Sequence, residues 1–550
     1  MQEFTPMLVT SLKGYKPNML IKDIVAGIIV AIIALPLSIA LAIASGVGPE
    51  EGLYTAIIAG ALISVLGGSS VQIAGPTAAF ATIVAGIVAA NGMEGLMLAT
   101  IIAGILLVLM GIFKLGSLIK FIPYTITTGF TAGIAVTILI GQLKDFFGVT
   151  YINGVSPIET TEKIAAFFEN ISTVNFYSLL VGALSILILI VWPKISKTIP
   201  GSLIAVVAGA VMVMLLPEST GVKTIETTFG ELNNKLPSLH IPKMDMSLIR
   251  NILPDAFTIA ILAAIESLLS CVVADGMTNG KHRSNMELIA QGVGNVGSAL
   301  FGGIPATGAI ARTAANIKNG GKTPVAGIVH SVVLLLILVF LMPYAALIPM
   351  PTIAAILFTV AYNMSQWRPI VRLVKTAPKS DIFVLLLTFT LTVVFDLVVA
   401  IGVGIVLACV LFMKRMSDET EIRGWKYEQA EDDSYKLVNV PKAVRVFEIS
   451  GPLFFGMTDR IANITTKEYT KCLIIRMRSV PAIDATAMKS LEDLCDKCRA
   501  KGITVIFSHV NEQPMQSIKK AGLFEKIGAD NFKEHIDDAL SYATSLCEIM

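Results

Sequence analysis

Long apolar segments alternate with short polar loops over the first three quarters of the chain. A helix needs about 20 apolar residues to cross about 30 Å of hydrocarbon. The clearest segments of this length lie at 24–45, 95–113, 124–143, 176–192, 199–216, 254–275, 324–342 and 396–413. With the less regular windows between them, the pattern predicts fourteen membrane spans before residue 414. Two windows, after "GGSSVQIAGPTAAF" and "FGGIPATGAIARTAAN", are too short to cross unaided.

The composition agrees with this pattern. Hydrophobic residues make up 54% of the chain and charged residues 15%, whereas soluble domains have about 25% charged residues. The formal net charge of +2 gives no basic excess that would indicate a nucleic-acid partner. We therefore expect a membrane protein surrounded by lipid, with no nucleic acid bound.

The basic residues indicate how the spans are oriented. With fourteen spans, every second loop lies on the side where the chain starts, and these loops hold Lys114, Lys194, Lys281 and Arg368. The positive-inside rule then places both termini in the cytosol. We expect the protein in the plasma (inner) membrane. Residues 1–22 lack the apolar core and cleavage site of a signal peptide, so we expect a cytosolic N-terminal segment.

The two halves of the apolar region share a weak internal repeat. "AIIALPLS" (31–38) resembles "AILAAIES" (260–267) at an offset of 229 residues, and the same offset aligns Pro76 with Pro305. Seven spans per half is an odd number, so the second half would be inverted relative to the first, as in many secondary transporters. We expect a transmembrane domain over 23–415, with repeats at about 23–217 and 250–415.

In each half, a proline precedes a short helix that would span only half of the membrane. The first is expected to run from about Thr77 and the second from near Pro305, so both N-termini end near the midplane. Free N–H groups and the partial positive charge of a helix N-terminus favour an anion there. Arg312 either adds positive potential to this cavity or is an interfacial arginine that reaches toward the cytosol. The small residues that would let a ligand approach the backbone are Thr77, Ala78, Ala79, Gly308 and Ala309.

A carboxylate interrupts the apolar stretch "ILAAIESLLSCVVAD" (261–275) at Glu266. A charge at the centre of a bilayer helix costs about 2.5–3.5 kcal/mol. The repeat offset pairs Glu266 with Leu37, beside Pro36, which would turn it toward the half-helices. If Glu266 binds a proton, the neutral acid admits an anion that the ionised form would repel, which predicts proton symport. The alternative is a structural glutamate hydrogen-bonded to a neighbouring helix; Ser270, one turn on, is expected to bond Glu266 or the ligand.

Three other polar residues in apolar segments are weaker candidates: Gln72, His330 and Asp396. We expect Asp275 to be a solvated helix cap and His330 to be hydrogen-bonded between helices. No nucleotide-binding loop, metal cluster or Ser/His/Asp arrangement with usable spacing stands out in the sequence. The chain is therefore not expected to be an enzyme or to hold a cofactor or metal.

The pattern changes from about Glu428. Three short runs with strand periodicity, "KAVRVFEISG", "KCLIIRMRS" and "ITVIFSHV", alternate with the amphipathic segment "ATAMKSLEDLCDKCRAKG". This alternation predicts a cytosolic α/β domain over 428–550 with a regulatory or assembly role. Cys495 and Cys498 form a C-x-x-C without a second pair at zinc spacing, so we expect ordinary reduced thiols.

One block resembles a known family. "AIESLLSCVVADGMTNGKHRSNMELIAQGVGNVGSALFGGIPATGAIARTAANIKNGGKTPVAG" (264–327) is similar to the signature region of SulP anion transporters, and most similar to their dicarboxylate-carrying bacterial branch. The tail resembles the STAS domain of the same family. In "SVPAIDATAMKSLEDL", Thr486 stands where anti-sigma antagonists carry a phosphorylated serine, and Ala487 replaces the usual glycine. Thr486 is thus a candidate regulatory site.

The resemblance implies a fold of seven plus seven inverted spans, with a core domain that moves against a gate domain in a homodimer. It also implies a substrate site between the third and tenth spans, at Leu37, Leu41, Thr77, Glu266, Gly308, Ala309 and Arg312. Sodium-coupled bicarbonate members have Asp in place of Glu266 and Thr in place of both Ser270 and Ile310. These differences favour the proton over sodium as the coupling ion.

The sequence therefore predicts a proton-coupled transporter of sulfate, bicarbonate or a C4-dicarboxylate that works by alternating access. The first alternative is a sodium-coupled bicarbonate symporter. The second is a membrane sensor or scaffold that signals through the tail, which could also bind a cytosolic partner.

Overall fold

The computed structural model describes residues 2–549 except 118–122, 152–156, 158, 197–198, 231, 233–234, 244–245, 396, 426–440 and 465. The chain forms two compact units, Met1–Ile405 and Val406–Met550. The predicted start of the tail domain at 428 and the candidate Asp396 lie outside the described residues.

Helices dominate the first unit, in which two very short strands interrupt them. The strands are β1 (Ala74–Gly75) and β2 (Thr307–Gly308). The helices are α1 (Met7–Leu12), α2 (Pro17–Ala44), α3 (Pro49–Leu66), α4 (Ala81–Ile112), α5 (Tyr124–Gly141), α6 (Leu143–Phe147), α7 (Thr160–Glu169), α8 (Phe176–Ile195), α9 (Gly201–Leu215), α10 (Ile225–Phe229), α11 (Met246–Thr278), α12 (Ser284–Leu300), α13 (Ile310–Lys318), α14 (Val325–Ala345), α15 (Met350–Met364), α16 (Trp367–Thr376), α17 (Lys379–Val394) and α18 (Leu397–Glu419), which continues into the second unit.

Eight helices of the described residues are long and apolar enough to cross a bilayer. The predicted multi-span helical architecture is therefore confirmed, while the count of fourteen spans stays a prediction. Large apolar side chains such as Leu187, Leu215 and Phe340 point outward and are well exposed. Such exposure suits a surface that contacts lipid, because hydrocarbon does not penalise apolar side chains.

Small residues allow the inner helices to pack closely. A Cβ on Gly104 of α4 would lie 2.7 Å from the carbonyl oxygen of Gly292 on α12, so any larger residue would push the two helices apart. Close backbone approach at glycine is a common way to hold membrane helices together, since lipid provides little hydrophobic drive. This packing holds α4, which continues the first half-helix, close against α12.

Both predicted half-helices begin after a short strand. Residues Ala78–Phe80 form a 3-10 turn that leads into α4, and α4 is broken at Gly92, where φ is 67° and ψ is −171°. The second half-helix is α13, which begins at Ile310 rather than near Pro305 as predicted. Pro305 precedes β2 whereas Pro76 follows β1, so the repeat offset aligned two prolines on opposite sides of the strands.

The second unit is an α/β domain, as predicted. Its strands are β3 (Glu421–Gly424), β4 (Val444–Ser450), β5 (Cys472–Ser479), β6 (Thr504–Ser508) and β7 (Phe532–Lys533). They form one sheet in the order β3-β4-β5-β6-β7, in which only the β3–β4 pair is antiparallel. Its helices are α19 (Thr458–Ala462), α20 (Ala485–Ala500), α21 (Glu512–Lys520), α22 (Leu523–Ile527) and α23 (Ile536–Ile549).

Alternation along the central strands buries both faces of this sheet. Ile474 and Ile506 pack on the side of α23, and Ile475 and Phe507 pack on the side of α20. Parallel strands covered by helices on both faces read as nearly continuous apolar runs. That is why three such runs could be recognised as strands in the sequence.

Candidate functional site

The two half-helices meet through their leading strands. β1 pairs with β2 in antiparallel register, with Ala74 opposite Gly308 and Gly75 opposite Thr307. The N–H of Ala309, the N-cap of α13, donates to the carbonyl oxygen of Ile73 at 2.9 Å. The starts of both half-helices therefore lie at one place in the fold.

The glycines of this strand pair are required by close neighbours. A Cβ on Gly308 would collide with the side-chain amide of Gln72, and a Cβ on Gly75 would collide with Nη1 of Arg312. Both contacts are much closer than a side chain can tolerate. The backbone of the site is thus held against two polar side chains that lie behind the strands.

Glu266 lies beside the start of the first half-helix. The hydroxyl of Thr77 donates to Oε2 of Glu266 at 2.9 Å. Both residues remain partly exposed, whereas Ile265 and Ser267 on either side of Glu266 are buried. α11 therefore presents one carboxylate to the half-helix start.

Ser267, which the sequence analysis did not select, ties α11 to the second strand. Its hydroxyl lies 2.6 Å from that of Thr307, and it accepts a hydrogen bond from the N–H of Gly308 at 3.1 Å. The hydroxyl of Thr307 also donates to the carbonyl oxygen of Ala263 at 3.1 Å. The only available signal was a serine beside Glu266 in an apolar helix, which alone does not reveal its partner.

Ser270 bonds α13 and not the predicted partner Glu266. It is fully buried, and its hydroxyl donates to Oγ1 of Thr313 at 3.3 Å; the same oxygen accepts from the N–H of Ile73 at 3.1 Å. Ser270 is displaced from Glu266 by about 6 Å along the helix axis, and at that level α13 is its neighbour. Its contact is therefore structural.

Arg312 lies behind the strands, not at an interface. Its side chain is 3% exposed, and Nη2 donates to Oγ of Ser38 and to the carbonyl oxygen of Pro76, each at 3.3 Å. Nη1 has no hydrogen-bond partner among the described residues. Of the two predicted alternatives, the one in which Arg312 reaches toward the cytosol is wrong, because the side chain points into the protein.

The remaining predicted residues divide into partly exposed and buried ones. Leu37 and Ala309 are partly exposed, as are Thr77 and Glu266. The residues Leu41, Ala78, Ala79 and Gly308 are buried. Next to Ala309, Ile310 is 41% exposed and offers no oxygen to a ligand. Thr77, Glu266, Leu37 and Ala309 are thus the predicted residues best placed to touch a small ligand.

A second carboxylate, Glu287 of α12, holds the loop before β1. It is fully buried and accepts hydrogen bonds from the N–H groups of Gly68 (2.9 Å) and Ser69 (3.2 Å) and from the amides of Gln72 (2.7 Å) and Gln291 (2.8 Å). Oε1 of Gln72 in turn accepts from the thiol of Cys271 at 3.0 Å. Gln72, predicted as a weak site candidate, is therefore a structural link beneath Gly308.

Asp275 and His330 also differ from expectation. Asp275 accepts from Nδ1 of His282 at 2.7 Å and from its N–H at 3.0 Å, so it closes the loop after α11 and is not a solvated cap. His330 of α14 is 0% exposed, yet neither ring nitrogen has a partner within the described part of the chain. The expected hydrogen bond from His330 to a neighbouring helix is therefore not found among the described residues.

In the tail, Thr486 is exposed on the first turn of α20. Asp484 caps this helix by accepting from the N–H of Ala487 at 2.8 Å. Cys495 and Cys498 are buried in the apolar core, and burial raises the pKa of Cys495 to about 12. A thiol with such a pKa is a weak nucleophile and a weak metal ligand at neutral pH, as expected for a structural cysteine.

Comparison with family models decides the assignment. The model of the sulfate permease family matches residues 20–388, and that of the STAS domain matches residues 435–539. The chain belongs to the sulfate permease family. The resemblance seen in residues 264–327 is thus confirmed at the level of the family, which consists of transporters and not of enzymes.

Relatives match over nearly the whole chain. YvdB of Bacillus subtilis, named as a candidate sulfate transporter, is 40% identical over 96% of this chain and 98% of its own. The bicarbonate transporter BicA of Picosynechococcus is 32% identical over 95% of this chain and 94% of its own. The structure of murine Solute Carrier 26 family member A9, an anion transporter in the inward-facing state, superposes with a TM-score of 0.88 at 18% identity and covers 98% of this chain and 94% of that chain. At that identity the likeness shows a shared fold.

Proposed function

We propose that the protein is a secondary active transporter that moves a small anion across the membrane by alternating access. The observation that carries this proposal is the hydrogen bond from Thr77 to Glu266, at the place where the two half-helices meet. It puts a proton-binding group next to a site that suits an anion.

Three features favour an anion at this place. The first N–H groups of the two half-helices have no partner within their own helix, and helix N-termini carry partial positive charge. Paired broken helices are a common way to hold an anionic substrate in transporters. Arg312 adds a full positive charge, and the two oxygens to which Nη2 donates are neutral, so its field is not cancelled by them. Because the guanidinium is buried, it acts across β1 and not through open contact.

The relatives support sulfate and bicarbonate as the first substrates to test. YvdB is named for sulfate and BicA for bicarbonate. Both are small oxyanions that fit among backbone N–H groups and small side chains. A C4-dicarboxylate, suggested by the residues of the signature block, is the third class.

We infer that the coupling ion is a proton bound by Glu266. An ionised Glu266 repels an anion bound near Thr77, whereas the neutral acid does not. Proton and anion would then enter together. Sodium is the second candidate, because the resemblance also covers sodium-coupled bicarbonate members of the family, which have threonine in place of Ser270 and Ile310. Here Ile310 offers no oxygen, and Ser270 already donates to Thr313.

The family assignment also supports an arrangement for the whole protein. We infer a multi-pass protein of the plasma (inner) membrane, a homodimer with both termini in the cytosol, and a STAS domain that regulates transport or binds a cytosolic partner. Thr486 is the exposed position where such regulation would act.

The decisive experiment is uptake of sulfate, bicarbonate and succinate into proteoliposomes with and without an inward proton gradient or a sodium gradient. We expect one of these anions to accumulate with the proton gradient, and Glu266→Gln to abolish that stimulation. Glu94→Gln is the matched control, since Glu94 is exposed on α4. Uptake that follows sodium and ignores the proton gradient would replace the proposal by sodium coupling; the absence of flux for all three anions would refute transport of these substrates.

A further inference from the structure

Two buried polar groups near β1 have no hydrogen-bond partner among the described residues. They are the imidazole of His330, which is 0% exposed, and Nη1 of Arg312, which is 3% exposed as a side chain. An unsatisfied buried donor or acceptor is costly, so each of these groups calls for an explanation.

The imidazole of His330 faces α3 at Gly60. A Cβ on Gly60 would lie 3.8 Å from Nδ1 of His330, 3.4 Å from the carbonyl oxygen of Ala74 and 2.8 Å from Oγ of Ser331. His330 is therefore next to the first residue of β1.

Nη1 of Arg312 faces the same helix one turn away. It lies against Gly75, and a Cβ on Gly75 would also lie 3.6 Å from Cα of Ala56. Ala56 and Gly60 are separated by one turn of α3, which is about 6 Å. Gly75 and Ala74 are consecutive in β1. Gly60 and Ala56 thus place the imidazole and the guanidinium nitrogen beside neighbouring turns of α3 and consecutive residues of β1.

Polar groups beside neighbouring turns of a helix can share one water molecule, with a hydrogen bond of about 2.9 Å on each side. Arg312 can only donate, while a neutral imidazole offers one acceptor and one donor. A water can accept from Nη1 and donate to the imidazole, and the carbonyl oxygen of Ala74 and the hydroxyl of Ser331 are nearby polar atoms. A buried water needs two to four such partners.

We propose that a buried water bridges Nη1 of Arg312 and His330, and that His330 is a positioning residue for the anion site. This inference rests on the proposed function, in which the charge of Arg312 favours the bound anion. Nη2 is held by Ser38 and by the backbone of Pro76. The bridge to His330 fixes the other end of the guanidinium plane, so that the charge stays behind β1.

The test uses the purified full chain and measures binding of sulfate and of bicarbonate by thermal-shift titration. His330→Phe keeps a ring of similar size but no hydrogen-bonding atom, and we expect it to weaken anion binding by about 2- to 10-fold, the contribution of one net hydrogen bond. His330→Gln keeps a polar group and should restore most of the affinity. His240→Phe, at an exposed histidine, should change nothing.

Arg312→Gln separates this inference from the proposed function. We expect Arg312→Gln to weaken binding more than His330→Phe, and the double variant to bind no more weakly than Arg312→Gln alone. If Arg312→Gln weakens binding and His330→Phe does not, the bridge is refuted and the proposed function stands. If Arg312→Gln binds both anions like the unmodified protein, the role of Arg312 in the proposed function fails.

A second measurement covers the case in which His330→Phe does not fold. A cryo-EM map of the unmodified protein at a resolution that shows waters should contain density between Nη1 of Arg312 and the imidazole. Direct contact of the two side chains, or an apolar gap between them, would overturn the proposal whatever the anion affinity.

Discussion

The hydroxyl of Thr77 donates a hydrogen bond of 2.9 Å to the carboxylate of Glu266, and this bond joins the start of the first half-helix to α11. Thr77 occupies the N-cap position of the 3-10 turn, yet its side chain makes no capping bond to that turn. Its hydroxyl is thus committed to Glu266. Under the proposed mechanism, a change in the protonation of Glu266 would alter this hydrogen bond at the start of the half-helix, where an anion would bind.

We expect Thr77→Val to reduce proton-driven anion uptake by about 10-fold or more. Valine has the shape of threonine but no donor, and a hydrogen bond to a charged group contributes about 1.5–3 kcal/mol. The same lost bond should also lower the unfolding temperature, so uptake is compared at a temperature at which both variants are folded. Thr77→Ser keeps the hydroxyl and should stay within about 3-fold of the unmodified protein. Equal uptake by the valine and serine variants would show that the bond has no part in transport.

The strand pair should be intolerant of a single methyl group. Gly308→Ala would push on the amide of Gln72, and Gly75→Ala on Nη1 of Arg312. Overpacking of this kind costs about 1–3 kcal/mol, so we expect a lower unfolding temperature in detergent for both variants and a loss of uptake. Gly86→Ala is the matched control, because a Cβ there meets nothing within 4 Å. Unfolding temperatures that are equal in all three variants would contradict the packing around β1 and β2.

Some of this architecture follows directly from the sequence. Bilayer thickness fixes the length of an apolar helix, so the long spans could be recognised without any partner. Glu266 stood out because a carboxylate in an apolar helix is costly. The short apolar runs of the tail identified β4, β5 and β6 for a similar reason, since a strand that is buried on both faces needs apolar side chains along its whole length.

Other parts depended on contacts between distant segments. β1 and β2 are too short to carry a strand pattern, and their register joins Ala74 to Gly308, which are far apart in the sequence. Glu287 lies in "SNMELIAQ", which reads as a polar helix face, and only folding shows that four donors surround it. Ser267 and Ser270 differ by less than one turn, and the rotation of α11 decides which one reaches β2.

Glu287→Gln should destabilise the protein without any direct contact to the substrate. The glutamine amide would bring N–H groups toward the donors of Gly68, Ser69 or Gln72, and each buried donor left without an acceptor costs about 1–3 kcal/mol. We expect the unfolding temperature to fall clearly. Glu94→Gln, at an exposed position, should leave it unchanged. If Glu287→Gln is as stable as the control, the carboxylate does not hold the loop before β1.

Two positions on α20 should differ in how well they tolerate an added negative charge. Thr486 is exposed on the first turn of the helix, where the dipole favours an anion and repulsion from Asp484 offsets part of that gain. Thr486→Glu should therefore change the free energy of unfolding by no more than about 0.5 kcal/mol. Ser490, one turn further, is buried, and its hydroxyl donates to the carbonyl oxygen of Thr486 at 3.2 Å.

Ser490→Glu takes a carboxylate out of water without a partner, so it should lower the unfolding temperature of the tail domain and make it sensitive to limited proteolysis. The comparison is made in the full chain, with the transport rate measured beside stability. A surface position that accepts a phosphate must tolerate negative charge, because a regulatory phosphate must leave the domain folded. Thr486 should meet this requirement, and Ser490 is the contrast that should not. Unfolding of the tail by Thr486→Glu would rule out Thr486 as a phosphorylation switch of that kind.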